Sequence, residues 1–373
     1  MAGYDAIVCG GGPAGACAAW KLASGGASCI LLEASSVPRR KVCGGALGFR
    51  ARKRLIEAGM LTDEGLTAIS LREQRAMSFF CGFEHLSRYE SAGPAITMVD
   101  RMDLDALLLA RAEAAGAIVV RGGRALSVAG GASIETSGAG KLSGDFVIAA
   151  DGASGRIGRE VRGCRGGPAG LGIEAFAPMP PGFPSEIQIH FGLADFGYAW
   201  VFPRRDDLCI GIGMVGGRNR PRGLLENLMR LFDSLGLERP VPGMLKAAPI
   251  PAGHPSCPMG SGRVLLAGDA AGLADRLTGE GLSHAVESGM LAAESVLNGR
   301  GLPWYRRAVA SGCAGMVRQS AIARHLVYGR RFRRLAMRGL ARDRRFFDGY
   351  WGLVSGASGY AGMIAGFLRG PRP

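Results

Sequence analysis

A glycine-rich turn near the amino terminus constrains this chain more than any other feature: Gly10-Gly11-Gly12-Pro13-Ala14-Gly15 satisfies G-x-G-x-x-G. It follows Asp5 to Gly10, which reads as a buried strand. Ala14 to Ser24 has a helical pattern, and Ser28 to Glu33 reads as a second strand. Together they make one βαβ unit. Gly10 permits the tight turn, Gly12 lets backbone N–H groups approach a pyrophosphate at the helix N-terminus, and Gly15 allows helix and strand to pack closely. Pro13 suits the first helical turn, where no N–H is missed. Glu33, at the end of the second strand, would accept hydrogen bonds from ribose hydroxyls and repel a 2′-phosphate. The alternative is a turn that binds nothing.

Composition narrows the function classes. The chain has 373 residues, 47% hydrophobic and 20% charged, enough for two domains with a well-buried core. Glycine, at 61 residues without a G-X-Y period, points to tight turns and close approaches of backbone to ligand. Nine cysteines with no CxxC pair fit reduced thiols and a cytoplasmic protein. The sequence opens on a strand with no signal-peptide pattern, and no run of 18 apolar residues suggests a membrane span. Formal net charge is +14, and ten arginines fall between Arg318 and Arg345 with Asp343 the sole acid there. No zinc-finger spacing or RNP-like strand accompanies that charge, so no nucleic acid partner is expected. His85, His190, His254, His284 and His325 form no H-E-x-x-H or Cys/His cluster, so no metal site is expected. G-x-S-x-G is absent, which argues against a serine hydrolase.

Further along, Arg101 to Ala115 shows Leu104, Leu107, Leu108 and Ala112 at helical spacing, and short strands follow at 118–120 and 146–150. From about Leu171 to Pro251 the pattern turns to strands, among them 186–191, 198–202 and 209–214. Val264 to Ala267 reads as a strand and Gly281 to Leu297 as a helix, so the nucleotide unit resumes. The expected architecture is α/β: a discontinuous Rossmann-type nucleotide domain (1–75, 96–165, 255–300), an inserted, mainly antiparallel β-sheet substrate domain (76–95, 166–254), and a helical basic C-terminal segment (301–373).

Two later signals turn a dinucleotide into FAD. Gly268-Asp269-Ala270-Ala271-Gly272 puts an acid at the mouth of a strand, where it can accept from ribityl or ribose hydroxyls; Asp151-Gly152 sets a second Asp-Gly turn at a strand end. In this order they resemble the fingerprints of glutathione-reductase-like flavoproteins, which include aromatic hydroxylases and flavin halogenases. Asp100-Arg101-Met102-Asp103 resembles the helix start at which that superfamily's Arg meets the FAD pyrophosphate; a surface salt bridge is the other reading of Arg101. A closer resemblance is to the geranylgeranyl reductase family. Tyr198-Ala199-Trp200-Val201-Phe202-Pro203 followed by Gly211-Ile212-Gly213 matches its Y-x-W-x-F-P…G-x-G motif. Arg40-Lys41-Val42-Cys43-Gly44-Gly45 resembles its Cys-Gly-Gly segment, and Leu277-Thr278-Gly279-Glu280-Gly281-Leu282 resembles its L-T-G-E-G loop. Three matches in order span residues 1 to about 300. Where the family usually has Pro after Asn, this chain has Asp275-Arg276, a cation that would alter what the site accepts.

The resemblance implies a cofactor set of Gly10, Gly12, Pro13, Ala14, Gly15, Glu33, Arg40, Cys43, Gly44, Ala46, Arg101, Ala125, Asp151, Asp269, Gly279, Gly281 and Leu282. Tyr198, Trp200 and Phe202 alternate along a strand and so share a face, either a substrate wall or core packing. Cys43 is a flavin-proximal thiol or an inert buried one, and Glu280 relays a proton or stabilises its loop. The implied reaction is reduction of C=C bonds in an isoprenoid or other apolar lipid through reduced flavin. A flavin monooxygenase acting on an aromatic or lipid substrate is the alternative. No second G-x-G-x-x-G is read in a strand–turn–helix context, since Gly211 to Gly216 falls in the strand-rich region, so NADPH would bind transiently or a ferredoxin-like protein would donate electrons. Arg331, Arg334, Arg338, Arg342 and Arg345 are expected on one face of a helix with Phe332, Leu335, Ala336 and Leu340 on another, either a surface suited to anionic membrane at the inner face or a solvated basic face that packs its apolar stripe on the protein's own core.

Overall fold

The computed structural model describes residues 3–93, 95–163, 170–216, 221–252, 257–329 and 333–368. The expected boundaries at 165/166 and 254/255, and with them His254, Arg331 and Phe332, lie outside these residues.

The apolar runs of the nucleotide unit become five parallel strands in the order Val264–Leu266, Lys141–Ala149, Tyr4–Cys9, Cys29–Glu33 and Ile118–Arg121. Cys29–Glu33, Val264–Leu266 and the adjoining ends of Tyr4–Cys9 and Lys141–Ala149 are buried on both faces, as a sheet covered by helices requires, whereas the edge strand Ile118–Arg121 is partly exposed. The helix Pro13–Ser24 packs between Leu282–Leu297 and Arg101–Ala114. Small residues permit the close packing on both sides: a Cβ on Gly289 would fall 2.1 Å from the Ala14 carbonyl oxygen across the helix pair, and one on Gly15 would fall 1.8 Å from that of Gly10 in the preceding turn.

The second sheet has seven strands, ordered Lys246–Ile250, Gly170–Pro178, Asp207–Val215, Gly197–Pro203, Ile187–Phe191, Ala76–Cys81 and Glu84–Glu90. All neighbours are antiparallel except Ile187–Phe191 beside Ala76–Cys81. One face packs on a helix, Pro221–Ser234, that was not expected within this stretch; Leu224, Leu228, Leu231 and Phe232 lie against Ala199, Val201, Ile210 and Ile212. The other face looks toward the nucleotide unit and the C-terminal helices. A small third sheet, Ala46–Leu47, Ile96–Val99 and Ser70–Gln74, joins the two.

The C-terminal segment departs from the single basic helix expected over 331–345. Asp343 accepts from the Arg345 N–H at 2.9 Å and caps a new helix, so Arg333–Arg342 and Arg344–Ser355 are separate elements. Ala336, Met337 and Leu340 are buried against Phe79, Phe347 and Tyr350 in the protein's own aromatic cluster, whereas Leu335 is exposed. Arg334, Arg338 and Arg342 face solvent, and Arg345 pairs with Asp343 at 2.8 Å. Among the described residues no helix is long and apolar enough to cross a membrane.

Candidate active site

The nucleotide sheet and the aromatic sheet enclose a cavity of about 700 Å³. At one end the helix Pro13–Ser24 begins with no side-chain cap and no acid in its first turn. Its first N–H groups therefore keep their capacity for an anion. Gly10, Gly12, Pro13 and Ala14 line this end; Gly15 lies beneath it as a packing residue. Glu33 is buried, and its Oε2 accepts from Gly11 N–H and its Oε1 from Ser35 N–H, each at 2.8 Å. Arg39, which sequence reasoning passed over, sits 3.5 Å from Glu33 and 3.4 Å from Asp105.

The remaining expected cofactor residues, Arg40, Cys43, Gly44, Ala46, Arg101, Ala125, Asp151, Asp269, Gly279, Gly281 and Leu282, all line the same cavity. Several are engaged with the protein. The salt bridge of Arg101 exists, but it is buried rather than on the surface, at 2.8 and 3.0 Å to Asp105. Burial opposes the guanidinium's charge, but Asp105 and the nearby Cys43 outweigh it and raise its proton affinity. Asp151 accepts from the N–H groups of Ile157 and Gly158 at 2.8 and 3.2 Å and so closes its own turn; burial raises its pKa. Asp269 lies 3.5 Å from Lys41, a cation the sequence reading did not single out. Glu280 accepts from Ser283 N–H at 2.6 Å, which ties its carboxylate to the start of Leu282–Leu297.

The far wall is the aromatic strand Gly197–Pro203. Ala199 and Val201 are fully buried on the helix-covered side, while Tyr198, Trp200 and Phe202 turn toward the cavity. The three aromatics also pack on the C-terminal cluster, as the core-packing reading expects. A Cβ on Gly211 would fall 2.2 Å from Trp200 Cζ2, so the glycine leaves the indole room to lie across the neighbouring strand. Tyr198 donates its hydroxyl to the Thr278 carbonyl, which anchors the 277–282 loop, and burial raises its pKa. Cys43 is partly exposed, and its N–H donates to Glu174 at 3.1 Å. Glu174 was not anticipated. Nor was Tyr350, which reaches the cavity from the C-terminal helices. Asp275, the residue before the unusual Arg276, is buried, accepts from Tyr360 and holds the loop's turn through Leu277 and Thr278 N–H; Arg276 itself lines the cavity.

An uncapped helix start, nearby cations and an acceptor at the second strand end suit a dinucleotide, and the cavity continues beyond them to an aromatic wall. Fold and site together define an FAD-dependent oxidoreductase. Residues 3–178 match the family model described as an FAD binding domain. The chain is 31% identical over 327 residues to digeranylgeranylglycerophospholipid reductase 1 of Methanopyrus kandleri, covering 78% of this chain and 80% of that protein. It is 29% identical over 316 residues to menaquinone reductase of Mycobacterium tuberculosis, covering 78% and 76%. A geranylgeranyl bacteriochlorophyll reductase-like structure from Thermoplasma acidophilum superposes with a TM-score of 0.77 at 22% identity, over 99% of this chain and 96% of that one. The chain belongs to the geranylgeranyl reductase family of FAD-dependent oxidoreductases.

Proposed function

We propose that this enzyme saturates isolated C=C bonds in an isoprenoid or comparable apolar chain. The observation that carries the reading is the wall made by Tyr198, Trp200 and Phe202, with Met77, Ile96, Ile187 and Ile189 continuing an apolar lining away from the nucleotide end. An unpolarised alkene offers little for hydrogen bonds to grip, so shape and exclusion of water must orient it. Reduced FAD supplies hydride when bound. Gly10 to Ala14, Glu33 and the cations Arg39, Arg40 and Lys41 are the groups suited to hold the dinucleotide. Gly44 and Ala46 offer no bulk beside the aromatic strand, and Cys43 places a thiol there. The seven-stranded sheet is the substrate side, and the names of the Methanopyrus and Mycobacterium relatives, both reductases, support the reaction type.

The electron donor is external, either NADPH bound transiently or a ferredoxin-like protein, because the other G-x-G-x-x-G of the chain, Gly211 to Gly216, runs along the antiparallel strand Asp207–Val215 and not through a strand-to-helix turn. Arg334, Arg338 and Arg342 form an exposed basic face suited to the anionic surface in which a long isoprenoid substrate resides.

Product mass tests the reaction. Saturation adds about two mass units per double bond without oxygen, whereas monooxygenation adds about sixteen and consumes it. With reduced enzyme and a polyprenyl substrate under anaerobic conditions, a product heavier by two units is expected. A product that forms only with oxygen and carries the larger increment would replace this reading with hydroxylation.

A further inference from the structure

Among the described residues, five carboxylates line the cavity: Glu33, Asp151, Glu174, Asp269 and Glu280. Four already have other work. Glu33, Asp151 and Glu280 each accept backbone N–H groups that shape a turn, and Asp269 is partly exposed beside Lys41. Glu174 stands apart. It lies on Gly170–Pro178, 3% exposed, directly across from Gly211, which in turn lies across from Trp200. The carboxyl, the glycine and the indole thus form one row over three strands. Its Oε1 accepts from Cys43 N–H at 3.1 Å, and its Oε2 is 4.0 Å from the buried Cys209 thiol.

We propose that Glu174 holds, on Oε2, the proton that saturation of the double bond consumes. Oε1 keeps its lone pair for the Cys43 N–H; Oε2, which meets only the weak, long contact from the Cys209 thiol at 4.0 Å, is the protonated oxygen. In the step this implies, the alkene π bond breaks and one carbon takes hydride with its electron pair, the two electrons coming from the reduced cofactor. The other carbon takes the Oε2 proton and leaves a carboxylate, which water reprotonates before the next turnover. The inference rests on the alkene-reduction reading above.

The surroundings favour a carboxyl that can give and regain a proton near neutral pH. Burial is the dominant influence and pushes Glu174 up to about 7; the Cys43 N–H, Arg204 and Arg101 pull the other way, and Asp100 adds to the rise. Cys209, on the adjacent strand, keeps its own proton because burial and Glu174 both oppose its ionisation. Lys246, the cross-strand partner on the other side, is exposed to solvent. An acid with this affinity is matched to general acid catalysis at physiological pH.

The test uses flavin-loaded protein and the variants Glu174→Gln and Glu174→Asp. Glutamine retains an acceptor for the Cys43 N–H, so a merely structural carboxyl would leave rate and pH profile unmoved. Infrared difference spectra over pH should show a protonated-carboxyl band that titrates near 7 in the parent and is missing in E174Q. In single turnovers of pre-reduced enzyme, E174Q should slow saturation on the order of 100-fold and lose the pH dependence, with flavin content unchanged. E174D should retain a shifted profile, and it carries the test if E174Q fails to load flavin. A parent lacking that band, or variants with parental rate and pH profile, would overturn the role of Glu174 alone. A parent that forms no saturated product would instead overturn the alkene-reduction reading, and this role with it.

Discussion

A Cβ placed on Gly44 would lie 2.6 Å from Cε2 of Phe202, so the loop that carries Cys43 meets the aromatic strand at a point where only glycine fits. Two motifs far apart in sequence are therefore one piece of surface. Overpacking of this kind costs about 1–3 kcal/mol. Gly44→Ala should weaken FAD binding or slow turnover roughly tenfold, and adding Phe202→Leu should restore part of the loss by clearing the ring edge. Fluorescence titration of apoprotein with FAD, together with turnover, measures both. Unchanged values for the single variant would show that the contact has no bearing on the site.

The purified protein should be yellow and release intact FAD on denaturation. Gly12 caps the helix Pro13–Ser24 in an extended conformation at the cavity wall. A branched side chain there fills the approach to the helix N-terminus, so Gly12→Val should emerge colourless and resist reconstitution. Retention of full flavin absorbance would move the dinucleotide away from this turn.

Much of this was legible because periodicity and glycine spacing report local structure. Asp5 to Glu33 reads as strand, turn, helix and strand in residue types alone, and alternation along Tyr198 to Phe202 predicts one aromatic face. Glu174 escaped because alternation on Ile173-Glu174-Ala175 looks like an acid turned to solvent. Only the pairing with Gly211, which itself pairs with Trp200, makes that face internal, and both come from strands further along the chain. The helix Pro221–Ser234 was available in principle from the spacing of Leu224, Leu228 and Leu231 but was masked by strands on either side. The basic helix stops at Arg342 because Asp343 acts as a cap, a role that its charge alone does not announce in the sequence.

Glu174 also predicts a stability signature independent of catalysis. A carboxyl whose folded-state pKa rises from 4.5 to about 7 binds its proton more tightly in the native state. Its contribution is therefore fully present below the unfolded pKa and is lost as pH climbs through the folded one. Between those limits the parent should lose up to about 3 kcal/mol that E174Q does not lose. Denaturant midpoints for both proteins across pH 4.5 to 8 read the difference directly. Parallel curves would mean that the carboxyl titrates as an ordinary one.

The C-terminal helices predict an electrostatic, non-inserting attachment to membranes. Ala336, Met337 and Leu340 are buried in the protein's own core, so Arg333–Arg342 has little apolar surface to offer a bilayer beyond Leu335. What it presents is Arg334, Arg338 and Arg342. Each arginine near an anionic surface contributes about 1 kcal/mol, and three together would strengthen binding on the order of 100-fold. With no insertion, that attraction should vanish once the Debye length falls to a few ångströms, at roughly 1 M salt. Co-sedimentation with vesicles rich in anionic lipid should therefore be clear at low salt, reversed by high salt, and absent with neutral lipid. Replacing the three arginines by glutamine should reduce it while leaving the fold intact, because none of their charges is buried. Binding that survives high salt would point to insertion, and binding indifferent to the triple replacement would move the contact to another face of the protein.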